Sequence, residues 1–260
     1  MIYSRNEQDM IFFVNFAAMN IVVSPSNVPA FNLAAEEYLF HKKGENFLLL
    51  YVNEPSVIIG SNQAVLNEVD RDYCIEHDIR IIRRLSGGGA VYHDKGNLNY
   101  TFIGDSAGTP LSARFLQPVV EVLEGLGIAV QIGKRKDLWL EGYKISGTAS
   151  HISRGRELHH GTLLYDTDLE ALQRALTAEN GRLIKKATPS VPSPVRNIRT
   201  FLAEKTVNPP ETIVFLEMLT RRLLIYYTLD QLTPLRNDEI SEIEELQRTK
   251  YTQRDWNYRM

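Results

Sequence analysis

Residues 83–97 read RRLSGGGAVYHDKGN, and the organisation of the chain turns on this run. Three consecutive glycines, Gly87, Gly88 and Gly89, separate two strand-like segments, Arg80–Arg84 before them and Ala90–Tyr92 after. Such glycines permit positive φ and let a ligand approach bare backbone N–H groups. Arg83 and Arg84 add fixed positive charge in a forked geometry suited to phosphate or carboxylate. The combination points to an anion, most economically a nucleotide phosphate, with a plain hairpin loop as the competing reading. Neither standard phosphate fingerprint fits: Tyr92 stands where a dinucleotide loop needs its last glycine. Thr148 follows the Gly142–Gly147 spacing where a Walker A loop needs lysine.

Outward from this run, short strands alternate with helices. Pro29–Phe40 has a helical period with a proline near its start, and Phe47–Tyr51 and Ser56–Gly60 read as two strands around a turn. Glu68–His77 reads as a helix, Leu98–Ile103 as a strand, and Leu111–Gly125 as a helix closed by glycines. Ile128–Gln131, Asp137–Leu140, Tyr143–Ser146 and His160–Tyr165 read as short strands, followed by a helix from Asp168. Three prolines exclude regular structure over Ala187–Arg196, and Pro209–Tyr227 and Asn237–Thr249 read as helices. Short loops between successive strands favour antiparallel pairing, so the expected class is α+β, with mixed, largely antiparallel sheets and flanking helices.

Composition bounds the partners. With 29 basic and 32 acidic side chains among 260 residues, the net charge of −3 lacks the global footprint of a nucleic-acid binder. One cysteine, Cys74, excludes an internal disulfide and a cysteine-built metal site, and points to a reducing, cytoplasmic setting. The apolar run Ile11–Met19 is far short of the ~20 residues that span a bilayer, and Glu7 and Asp9 spoil a signal peptide. Residues 1–19 therefore read as an extension before a single domain over 20–260, with Met19 as an alternative start.

Two further segments carry chemistry. In Tyr143-Lys144-Ile145-Ser146, strand alternation sets Lys144 and Ser146 opposite Tyr143 and Ile145, so Lys144 faces a cleft or solvent. A held lysine can stabilise charge on a phosphoryl or carbonyl oxygen, although a solvated lysine is the plainer reading of this segment alone. In Leu158-His159-His160-Gly161, adjacent strand histidines face opposite ways and cannot share a metal; one is expected to line a cleft and the other to be bonded structurally. No G-x-S-x-G elbow exists, and Cys74 sits among acidic neighbours that raise a thiol pKa.

Arg83–Asn97, Tyr143–Ala149 (YKISGTA) and His159–Leu169 (HHGTLLYDTDL), in this order, resemble the lipoate–protein ligase A family. Weaker echoes at Phe31–Glu37, Ser190–Asn197 and Tyr251–Asn257 extend the resemblance over roughly residues 20–258. It implies the biotin/lipoate ligase fold, of class II aminoacyl-tRNA synthetase type, and a two-step reaction. Lipoate and ATP (with Mg2+) give lipoyl-AMP, which a lysine of a lipoyl domain then attacks, as on 2-oxoacid dehydrogenases and the glycine cleavage H protein. By the resemblance, Arg84 and Gly89, Ala90, Val91 and Tyr92 contact the nucleotide, and Lys144 bridges the carboxyl oxygen and the α-phosphate in both steps. Ser86, Gly87 and Gly88 border the acyl pocket, Asp137 sits near the adenylate, and His160 belongs to the ligand-binding set. No metal-ligating residues, nucleic acid or membrane partner are implied.

Departures remain. Lys134-Arg135-Lys136-Asp137 replaces the usual G-R-N-D, and the late motif at Trp256-Asn257 leaves no room for the small accessory domain of many ligases. Alternatives are thus a separate accessory protein, a transferase using ready-made lipoyl-AMP, or a binding module. An acyl-cysteine route is disfavoured because Cys74 lies outside the matched motifs. The clusters Arg154/Arg156 and Lys185/Lys186 are candidate contacts for an acidic acceptor domain.

Overall fold

The run Asn46–Val52 has no polar side, and in the structure neither face of it meets water. Leu48 and Leu50 turn to one core while Phe47, Leu49 and Tyr51 turn to another. A strand covered on both faces reads as a continuous apolar run rather than an alternating one. The computed structural model describes residues 19–106, 113–177, 189–205 and 208–259.

In chain order the first elements are β1 (Met19–Val23), α1 (Pro29–His41), β2 (Asn46–Val52), β3 (Ser56–Ile59), α2 (Val65–Glu68) and α3 (Arg71–Glu76). Then come β4 (Arg80–Arg83), β5 (Val91–His93), β6 (Asn97–Asp105), a 3-10 turn and α4 (Gln117–Gly125). β7 (Gln131–Ile132), β8 (Leu138–Leu140), β9 (Tyr143–Ser146), β10 (Thr148–Ser153), β11 (Arg156–Leu164) and α5 (Leu169–Ala175) follow. The described chain closes with α6 (Ile198–Ala203), α7 (Thr212–Tyr226), α8 (Asn237–Leu246), a π-helical turn over Gln247–Tyr251, and α9 (Arg254–Asn257).

The strands form one five-stranded sheet, β1-β2-β6-β11-β10, and two three-stranded sheets, β4-β3-β5 and β7-β8-β9. Among the described strands only β1–β2 and β3–β4 pair in parallel; the other six pairings are antiparallel. The mixed, largely antiparallel α+β architecture expected from the short loops is therefore what the chain adopts. Helices α4, α6 and α7 cover one face of the large sheet through Val119, Leu123, Phe201, Phe215 and Leu219. On the other face lies α1, in turn covered by Ile243 of α8 and by Tyr251. Pro29 opens α1 at its first turn, where a missing N–H costs nothing. The β4-β3-β5 sheet turns Val57, Ile59, Ile81 and Tyr92 outward to a third core under α3 and α5, which also holds Cys74. Its inner residues, Ile58 and Ile82, face α1.

Several elements differ from the sequence reading. The single helix over Glu68–His77 is two, because Asp70 stops the first and caps the second, accepting from the Tyr73 amide at 2.9 Å. The Asp70 amide is meanwhile drawn to the Ala175 carbonyl. Helix α4 begins only at Gln117, with Pro118 in its first turn, and residues 111–112 lie outside the described set. The strand expected at Ile128–Gln131 is confined to Gln131–Ile132, and β10 and α6 have no counterpart in the sequence reading. β1 starts at Met19, which pairs with Asn46; the apolar run before it is outside the described residues. Among the described residues, no helix is long and apolar enough to cross a membrane.

Candidate active site

Between the large sheet and the inner face of β4-β3-β5 lies a cavity of about 400 Å³. Gly88, Gly89, Ala90 and Val91 line it from the glycine run, Lys144 from β9, His160 from β11, and Asp137 from the turn before β8. Three distant motifs thus meet at one place because β9, β10 and β11 bring their ends beside the β4–β5 connection. Ser86, Gly87 and Tyr92 do not line it. Tyr92 follows strand alternation into the third core, while its neighbours Val91 and His93 face the cavity.

Arg84 lines the cavity, whereas Arg83 does not. Arg84 is buried, and its guanidinium is committed to the protein. Nε donates to Ser86 Oγ at 2.9 Å, Nη1 to the Ile58 carbonyl at 2.9 Å, and Nη2 to the carbonyls of Gly87 and Gly89 at 2.6 and 2.7 Å. It therefore shapes the loop and lends the cavity positive potential, rather than reaching out as a forked clamp. Arg83 is fully buried and points away, to carbonyls of the Gly60–Gln63 turn and the C-terminal segment. Of the three glycines only Gly88 has positive φ, at 87°. The Ala90 amide is not free either, since it donates to Ser190 Oγ. Gly60 was not singled out in the sequence, yet a Cβ there would lie 2.2 Å from the Gly88 carbonyl oxygen. The loop has its shape because two backbones touch.

Lys144 is held at both backbone groups by the proline-rich segment: its N–H donates to the Pro194 carbonyl, and its carbonyl accepts from Arg196. Its Nζ sits 3.7 Å from Asp137 Oδ2, which is also 3.9 Å from Arg135. Burial pulls the ammonium below the usual lysine range; Asp137 opposes this and Arg135 adds to it. Asp137 Oδ2 is buried and makes no hydrogen bond. An ammonium and a guanidinium beside the glycine backbone favour a ligand with concentrated negative charge.

The remaining wall is built on a buried relay. Glu36 of α1 accepts from Tyr51 Oη, Thr101 Oγ1 and His160 Nδ1, and His160 Nε2 meets Ser86 Oγ at 2.7 Å. Because the Glu36 carboxylate only accepts, the hydrogen facing it is on His160 Nδ1, and in the neutral ring Nε2 accepts from Ser86 Oγ, which itself accepts from Arg84. The order serine–histidine–carboxylate is that of a nucleophile triad, but Ser86 is fully buried and outside the cavity lining. Burial alone would raise the Glu36 pKa; His160, Thr101 and Tyr51 outweigh it, and the net shift is downward. His159 faces the other way, bonded to Ser150 Oγ and stacked on Phe115, so the two histidines divide as strand alternation requires. His93 accepts at Nδ1 from Asn53. Burial, then Arg84 and His160, push its pKa down to about 3, keeping it neutral.

Glu36, Tyr51, His93 and Ser190 escaped the sequence reading. Glu36 lies beside the expected apolar stripe of α1, and its burial comes from Tyr51, Thr101 and His160 on three strands of the large sheet. The single signal was alternation around Tyr92, which would have turned His93 to the cavity. Cys74 stays outside the site; burial, then Asp70, push its thiol up to about 11. Arg156 is no surface charge: it is buried, bonded to the Phe40 and Glu45 carbonyls. Lys185 and Lys186 lie outside the described residues. Among those residues no group of three or more metal-ligating His, Cys, Asp or Glu side chains occurs.

Fold and cavity together define an α+β enzyme domain with a charged, lysine-bearing cleft beside a wall held by a buried polar relay. The chain belongs to the lipoyl protein ligase A/B catalytic domain family, whose model matches residues 28–217. Lipoate–protein ligase 1 of Staphylococcus aureus is 36% identical over 242 residues, which is 91% of this chain and 72% of that protein. The Bacillus subtilis lipoate-protein ligase LplJ is 37% identical, over 89% of this chain and 71% of its own. The mitochondrial lipoyl amidotransferase of Mus musculus is 40% identical over 68% of this chain and 49% of its own. Among solved structures, a bi-partite archaeal lipoate protein ligase from Thermoplasma acidophilum superposes with a TM-score of 0.74 at 27% identity, covering 92% of this chain and 95% of that one. A lipoate-protein ligase A bound with ATP gives 0.73 at 26% identity, over 92% and 97%. The protein is an enzyme of the lipoate–protein ligase and lipoyltransferase class.

Proposed function

We propose that the cavity activates lipoate with ATP and passes the lipoyl group from lipoyl-AMP to the lysine of a lipoyl domain. The observation that carries this is Lys144, partly buried and pinned by the Pro194 carbonyl, facing a cavity that also exposes the glycine run. In the first step a lipoate oxygen attacks the α-phosphorus and pyrophosphate leaves. The Lys144 ammonium neutralises charge building on the shared oxygens. In the second step the acceptor amine attacks the carbonyl carbon and AMP leaves with the bonding pair; the same ammonium stabilises the oxyanion. No side-chain nucleophile is required. The likeness to a structure bound with ATP supports the first step, and the solved T. acidophilum protein bound with lipoic acid supports the acid. Mg2+ is commonly held by one or two carboxylates plus substrate phosphates. Asp137 is the lining carboxylate whose Oδ2, without a hydrogen bond, suits that role.

A second reading, transfer from supplied lipoyl-AMP without activation, is favoured by the likeness to the mouse lipoyl amidotransferase. The bi-partite archaeal ligase suggests an intermediate case, activation with a second chain. One experiment separates them: label a purified lipoyl domain with lipoate plus ATP, and separately with lipoyl-AMP. A full ligase modifies the domain in both, a transferase only in the second. Lys144→Ala is expected to lower either rate by about 10²–10³-fold, the loss typical of a preorganised charge. Unchanged rates in that variant reject the role of Lys144.

A further inference from the structure

Among the described residues, Arg83 is a fully buried arginine with no carboxylate in its hydrogen-bond set. Its donors reach Gly60, Ser61 and Gln63 carbonyls at 2.8, 3.3 and 2.8 Å on one side. On the other they reach the carbonyls of Trp256 at 3.1 Å and Arg259 at 2.7 Å. The backbone repeats the link: the Arg83 amide donates to Asn257 Oδ1, and its carbonyl accepts from Trp256 Nε1. Holding a permanent cation out of water on carbonyl dipoles is costly unless every donor is satisfied. Both partner segments are therefore fixed relative to each other.

The turn so fixed is the one against which the glycine loop leans. Gly60 leaves no room for a Cβ beside the Gly88 carbonyl, and Ser61 donates its amide to the Ser86 carbonyl. Gln63 Nε2 donates to Ser190 Oγ, which accepts from the Ala90 amide. A continuous path of hydrogen bonds thus runs from Trp256–Arg259 through Gln63 and Ser190 to Ala90, on the nucleotide side of the loop, while the Glu36–His160 wall meets this turn only through Ser86 and is otherwise held by Tyr51 and Thr101.

We propose that Arg83 is a positioning residue that couples the Trp256–Arg259 segment to the nucleotide side of the cavity. The inference rests on the reading of this cavity as the lipoyl-AMP site. Lipoyl-AMP then binds less well when the C-terminal link is loosened, whereas lipoate alone does not. By reciprocity, bound lipoyl-AMP also steadies the C-terminal segment.

The test measures affinity for lipoyl-AMP and for lipoate alone in the full chain, its Arg83→Lys and Trp256→Phe variants and the double variant. Amide hydrogen exchange is followed over residues 254–259. Each single variant is expected to weaken lipoyl-AMP binding by about tenfold, of the order of one lost hydrogen bond. Lipoate is expected to stay within about twofold, and the double variant to be no weaker than the worse single. Slowing of exchange by lipoyl-AMP is expected in the parent chain and lost in Trp256→Phe. If Arg83→Lys fails to fold, Trp256→Phe decides, since it removes one hydrogen bond and keeps a ring. Folded variants with parental lipoyl-AMP affinity, or with both affinities lowered equally, overturn the inference alone. A parent chain without affinity for lipoyl-AMP overturns the functional reading with it.

Discussion

Replacing Glu36 by glutamine changes one oxygen to an amide nitrogen at the centre of the buried relay. The new side chain can keep its oxygen toward Tyr51 and Thr101, both of which bond Oε1 of the native carboxylate. Its NH2 then takes the place of Oε2, 3.1 Å from His160 Nδ1. Nδ1 is equally close to Oε1 and can keep its bond there, but the new NH2 then faces the ring N–H without an acceptor unless the histidine moves its proton to Nε2. In that tautomer Nε2–H meets Ser86 Oγ, which already accepts from Arg84, and the serine hydrogen loses its acceptor. Either way one buried donor is left unpaired and the charge facing His160 is gone, a loss of about 2–3 kcal/mol. For a domain of this size, that lowers the melting temperature by about 4–12 °C.

Thermal unfolding followed by circular dichroism at pH 7 measures the drop, and an acid series supplies a second signature. The folded-state pKa of Glu36 lies below its ordinary value of 4.5. Its contribution is therefore present above the unfolded pKa and lost as pH falls through the lower folded one. The gap between parent and Glu36→Gln should accordingly close below about pH 4.5. A change in melting temperature under ~1 °C at pH 7 would show that the relay does not hold the wall together.

Gly60→Ala places a methyl 2.2 Å from the Gly88 carbonyl oxygen, so the loop or the turn must move. A stability loss of about 1–3 kcal/mol is expected, with weaker lipoyl-AMP binding read by titration. Cys74→Ala should leave transfer to a lipoyl domain within about twofold, since only a small buried side chain is trimmed. A folded Cys74→Ala protein without transfer activity would reinstate a thiol intermediate.

What was legible in the sequence was whatever a local pattern encodes. The glycine run, the lysine strand and the histidine pair could be read because alternation and glycine sterics act over a few residues. The direction of Arg83 could not, because its partners lie twenty or more residues before it and beyond residue 255. Neither could the burial of Glu36, whose partners Tyr51, Thr101 and His160 lie on three different strands. β10 (TASHIS) carries too little apolar content to announce itself and is a strand only because β11 pairs with it. The break at Asp70 was within reach, since a cap residue before a helix was present in the sequence. The longer continuous helix pattern masked it.

The anchoring of Arg83 has a consequence for synthesis. Its donors span up to 176 residues of chain, so the charge cannot be satisfied until residue 259 has been made. Contacts this far apart in sequence form late, because loop closure must precede any gain from them. A nascent chain can assemble β2 with β6 early, yet still carry a bare guanidinium at the root of its glycine loop. The binding cradle is thus expected to set late, after the sheet that carries it.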